Sequence, residues 1–72
     1  MPSNNEIAAA LRQLRGETPR EHVAAACGIS LSALSMYENG ARMPRDEVKL
    51  ALAQYYGKSV GEIFFGQQSH VT

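Results

Sequence analysis

The sequence predicts an all-α fold in a single domain, and three observations carry that prediction. Helix-start and helix-stop signals recur five times along the chain. Between them apolar residues return every three or four positions, the helical period, whereas alternating strand patterns are almost absent. No internal repeat or low-complexity linker divides the 72 residues.

Ser3 and Glu6 form a capping signature, and Ile7, Leu11 and Leu14 then follow at helical spacing until Gly16 ends the first helix. Thr18, Pro19 and Glu21 offer an N-cap, a proline suited to the first helical position and a glutamate able to close a capping box. The second helix therefore runs from Pro19 or Arg20 to about Ala26 and buries Val23, Ala24 and Cys27. Gly28 stands where the chain needs positive φ to turn sharply into the next element. Ser30 opens the third helix, Leu31 to about Glu38, which buries Leu34 and Tyr37 before Asn39 and Gly40 stop it. Both helices are near two turns long and would not hold alone in water. Pro44 halts the chain, and Arg45 or Asp46 starts a longer helix with an apolar stripe at Val48, Ala51, Leu52, Tyr55 and Tyr56. Gly57 closes it. Ser59 and Glu62 repeat the capping signature for a brief fifth helix, Val60 to Phe64. Residues 1–66 are thus expected to form the domain, and 67–72, without periodicity, a loose tail.

At this length only about 60% of the unfolded chain's surface can be buried, so a dimer contact is the expected source of added stability. One cysteine, Cys27, excludes an internal disulfide framework and suits a reducing cytoplasm. No apolar run approaches the roughly 18 residues needed to span a bilayer, and the N-terminus lacks the order of a signal peptide. Lysine plus arginine equals aspartate plus glutamate, seven each, so overall charge makes no case for a polyanionic partner. Distribution is more informative: Arg12, Arg15, Arg20 and Arg42 lie in or beside the first three helices, while Glu21, Asp46 and Glu62 sit at helix starts as cap chemistry. His22, Cys27 and His70 have no spacing that suits a metal or a nucleophile, and Cys27 reads as a small core residue. No enzyme, metal site, cofactor or small-molecule ligand is expected.

From Ile7 to about Phe65 the chain resembles the Cro and phage-repressor type of helix-turn-helix regulator, the XRE family. The resemblance rests on Val23 and Ala24, Gly28-Ile29-Ser30, Tyr37-Glu38-Asn39-Gly40, Arg42 and Pro44; the LRG, PRDE and YYGKSVGEIFF stretches look like a prophage or mobile-element subtype. It implies a five-helix lambda-repressor-like domain whose helices two and three form the helix-turn-helix, and a partner in double-stranded DNA. Carried over by position, the base-reading residues are Leu31, Ser32, Ala33, Ser35 and Met36, near the start of a helix that enters the major groove. Arg20, Ser30, Asn39 and Arg42 take the backbone-contacting role, which fixes register without reading sequence.

Glu38 would repel DNA and sits poorly at a helix C-terminus unless it is neutralised. The resemblance implies an ion pair with the arginine ending helix one: Arg15 by position, with Arg12 second. It also implies a homodimer through the C-terminal helices, with Tyr55, Phe64 and Phe65 as contact residues and recognition helices about 34 Å apart. The chain departs from the family in a short link at Gly16–Thr18, in Pro19 where a Ser or Thr cap is common, in Arg20 where glutamine is frequent, and in Lys49 at a usually apolar position. The function implied is a sequence-specific transcriptional regulator, a repressor at an operator of two half-sites. The alternative is a protein-interaction module on the same fold, antitoxin-like or anti-repressor, which the neutral charge and the apolar Leu31 and Met36 favour.

Overall fold

In the computed structural model, which describes residues 3–66, helices α1 (Asn4–Arg15), α2 (Arg20–Cys27), α3 (Leu31–Glu38), α4 (Asp46–Tyr56) and α5 (Val60–Phe64) follow in chain order, and no strand occurs among the described residues. The expected tail, residues 67–72 with His70, lies outside the described residues. Serine caps start three of the helices. Ser3 and Glu6 make reciprocal bonds of 2.8 and 3.2 Å, Ser59 and Glu62 bonds of 2.8 and 3.0 Å, and the Ser30 hydroxyl accepts from the Ala33 N–H at 3.0 Å. The second helix differs from expectation. Pro19 itself is its N-cap, and no side chain bonds its first N–H groups, so Thr18 and Glu21 close no capping box.

The core gathers one face from every helix: Ile7 and Leu11 from α1, Val23 and Ala24 from α2, Leu34 and Tyr37 from α3, Leu52 and Ala53 from α4, Ile63 and Phe64 from α5. Leu11, Leu34 and Leu52 are fully buried, and removing each such side chain from water is worth about 1.5–3 kcal/mol. Helix α3 packs between α1 and α2; α4 lies against α2 and α5, and α5 returns to α1. Neither short helix of the turn motif therefore depends on its own propensity. Cys27 is only half-buried at the edge of this core, where desolvation pushes its thiol pKa up.

Two glycines fix the path around α3. Gly28 turns the chain at φ 69°, in the left-handed region, between α2 and α3. Gly40, at φ 75°, has a second constraint: a Cβ there would stand 2.6 Å from Asn5 Oδ1 and 3.4 Å from the Asn4 carbonyl oxygen. A side chain at position 40 would have to displace the Asn5 amide and adopt a left-handed backbone that glycine takes without strain.

The C-terminal half corrects two expectations. Phe64, expected at a dimer contact, is 1% exposed and fills the monomer's own core. Tyr55, expected on the apolar stripe of α4, is exposed and meets His22 edge-on at a ring separation of 6.2 Å. Lys49 explains its unusual position. Its stem is nearly covered, with Nζ 5.8 Å from the Phe64 ring centre and 5.0 Å from that of Phe65, so it serves as an amphipathic lid on the core.

Candidate nucleic-acid interface

Three arginines from the first two helices converge on the last residue of α3. Glu38 has no exposed surface. Arg15 Nε donates to its Oε2 at 2.8 Å and Arg20 Nε to its Oε1 at 2.9 Å, so both carboxylate oxygens are engaged. Arg12 Nη1 donates to the Glu38 main-chain carbonyl, one of the groups a helix end leaves without an intrahelical partner. Arg15 also donates from Nη1 to the Thr18 carbonyl oxygen at 2.9 Å, which ties the α1–α2 link into the same cluster. The bond to Glu38 raises the Arg15 guanidinium above its ordinary pKa. The hydroxyl of Tyr56 is buried without a hydrogen-bond partner; burial first, and the Glu38 carboxylate second, push its pKa up to about 12.

The expected Arg15–Glu38 pair is therefore present, but it is one arm of a larger arrangement. Arg12, expected only as the second choice for the same partner, binds the carbonyl instead of the carboxylate. Arg20, expected to contact a nucleic-acid backbone, has its Nε committed to Glu38 while its side chain stays 42% exposed. Sequence reasoning missed this third arm because Arg20 and Glu38 are 18 residues apart and no local pattern links them.

With Leu34, Tyr37 and Glu38 turned inward, the opposite side of α3 presents Ser32 and Met36, one turn apart, with Leu31 exposed at the helix start. Ala33 and Ser35 are half-buried on the flanks, and Ala33 packs against the core, so of the five residues expected to read bases Leu31, Ser32 and Met36 are the exposed ones. The Ser30 oxygen is engaged in capping α3. Asn39 and Arg42 are exposed just beyond the helix, as a backbone-contacting role requires.

The described residues contain no group of three or more His, Cys, Asp or Glu side chains able to hold a metal ion. No helix among them is long and apolar enough to cross a membrane.

The family model described as a helix-turn-helix domain matches residues 6–63. The chain belongs to the helix-turn-helix family. Among solved structures, the clp gene regulator ClgR from C. glutamicum is similar, with a TM-score of 0.72, 26% identity, and coverage of 90% of this chain and 88% of that one. No curated protein matches the sequence. In this helix-turn-helix protein α2 and α3 are the paired helices, Gly28 makes the turn, and the arginine cluster on Glu38 sets how α3 is held against the rest of the domain.

Proposed function

We propose that this chain is a homodimeric, sequence-specific transcriptional regulator that inserts α3 into the major groove of an operator with two half-sites and represses transcription in the cytoplasm. Membership in the helix-turn-helix family and similarity to a gene regulator support a DNA-binding transcriptional regulator rather than an enzyme. The single observation that carries the finer reading is the engagement of Glu38. Its carboxylate, the one acid on α3, is buried between two guanidinium groups, so the helix presents no negative charge to phosphate. Exposed Arg42 and the outer part of Arg20 flank the helix as phosphate contacts. Residues 1–66 act as the binding domain.

Two subunits would meet on the flank of α4 and α5 where Phe65 is exposed beside Leu50, rather than through buried Phe64. Fluorescence polarisation with duplex from a random-pool selection tests the reading. Salt-sensitive binding is expected, with a slope lowered by about one in Arg42→Ala. Absence of salt-sensitive binding at micromolar protein would leave the interaction-module reading, which the exposed Leu31 and Met36 favour.

A further inference from the structure

The outward face of α3 has an uncommon chemistry for a surface that meets base edges. The helix, LSALSMYE, contains no Arg, Lys, Asn or Gln, so it lacks the forked groups that bind guanine or adenine in bidentate fashion. Its one acid, Glu38, is buried against arginines and cannot accept from the cytosine amino group. What remains outward is a pair of long apolar side chains, Leu31 at 45% and Met36 at 39% exposure, with the Ser32 hydroxyl between them.

In the major groove the apolar feature of a base pair is the C5-methyl group of thymine. The same methyl stands at the same place on 5-methylcytosine. The two pyrimidines differ at C4, which bears an acceptor oxygen in thymine and a donor amino group in cytosine. A serine hydroxyl rotates to donate to the first or accept from the second. Two cations adjoin this helix although the chain is neutral overall: Arg20, which bonds Glu38 with its side chain 42% exposed, and exposed Arg42 just beyond α3. An apolar stripe on the second helix of the turn motif, with exposed arginines near its C-terminal end, suits a duplex, whose methyl groups lie between phosphate rows, better than an apolar groove on another protein.

We infer that α3 recognises the C5-methyl groups of pyrimidines through Met36 and Leu31, with Ser32 indifferent to the group at C4. Thymine and 5-methylcytosine are then read alike, and methylation of cytosine creates binding sites. The inference rests on the DNA-binding reading and specifies what that binding reads.

The test uses the full chain and a duplex selected from a random pool, with affinity measured by polarisation at fixed salt. Replacing a contacted thymine by uracil removes only the methyl and should weaken binding roughly three- to fivefold, the ratio for burying one methyl-sized group. Replacing the same T·A pair by C·G should weaken it at least as much, and methylating that cytosine should restore affinity to within about twofold of the thymine duplex. Met36→Ala and Leu31→Ala together should erase the thymine–uracil difference while leaving the salt slope unchanged, and Met36→Leu should retain it. Equal binding of thymine and uracil duplexes at every position overturns the inference while leaving DNA binding intact. So does 5-methylcytosine behaving as cytosine. Failure to bind any duplex in a salt-dependent way overturns the DNA reading itself.

Discussion

The two ends of α4 face neighbourhoods built on opposite principles. On one side, where Tyr56 approaches the α1–α3 junction, a buried carboxylate takes two guanidinium groups at 2.8 and 2.9 Å and a third binds the adjoining carbonyl. On the other, Leu50 and Phe65 stand 54% and 41% exposed beside the lid formed by Lys49. Directional bonds to a buried charge have few satisfactory arrangements, so the first neighbourhood fixes the end of α3 relative to α1 and α2. Apolar contacts are non-directional, and the second neighbourhood leaves surface that a further contact can cover. The polar cluster therefore orients the helix of the turn motif, whereas the apolar flank is free to serve association.

Breaking the polar side should have the largest effect. Glu38→Ala removes the acceptor that Arg15 and Arg20 share and empties a buried position, and the loss of stability in urea denaturation should be about 1.5–3 kcal/mol. A loss below about 1 kcal/mol would mean that the cluster contributes little to holding α3. Phe65→Glu should leave the fold intact, because Phe65 is exposed, but shift sedimentation toward monomer, weakening self-association about tenfold or more. Tyr55→Glu, on the opposite flank of α4, should leave association unchanged. The reverse pattern would move the contact to the Tyr55–His22 side.

Arg20→Ala sharpens the comparison at smaller scale. Its side chain is 42% exposed, and screening by solvent limits the expected stability loss to about 0.2–1 kcal/mol. Arg15→Ala, at 16% side-chain exposure, should cost more in the same denaturation experiment. The smallest effect belongs to Tyr56→Phe. Removing a buried hydroxyl that has no partner should leave stability at neutral pH unchanged or slightly raised. The pH dependence should be clearer. The folded-state pKa of about 12 exceeds the ordinary value of 10, so the contribution of neutral Tyr56 is complete below about pH 10 and is lost as pH rises toward 12. Thermal unfolding at pH values between about 9 and 11 should show this decline in the natural chain and a flatter profile in Tyr56→Phe.

Much of the fold was legible because its signals are local. The serines at positions 3, 30 and 59 cap their helices through bonds spanning three residues, and Gly28 turns in the left-handed region that only a glycine adopts readily. Pro19 was less legible, since a threonine, a proline and a glutamate in series permit two helix starts, and the geometry uses the proline. Of the candidate interface, the inward Leu34 and Tyr37 followed from helical spacing, and the structural role of Glu38 from the family resemblance. Which of the remaining residues stayed outward did not, because Ala33 is drawn against the core by neighbours distant in sequence.

The sequence by itself determined the number, order and approximate limits of the helices and the turn at Gly28, since each depends on spacing and local caps, while the pairing of Glu38 with an arginine from α1 was implied by the family resemblance. Tertiary structure alone decided that Arg20 shares the Glu38 carboxylate, that Gly40 comes close to Asn4 and Asn5, and that Phe64 turns inward while Phe65 turns out. Adjacent aromatics at the end and C-cap of a five-residue helix carry no periodic signal to separate them, and only the positions of α1 and α4 choose which ring is covered.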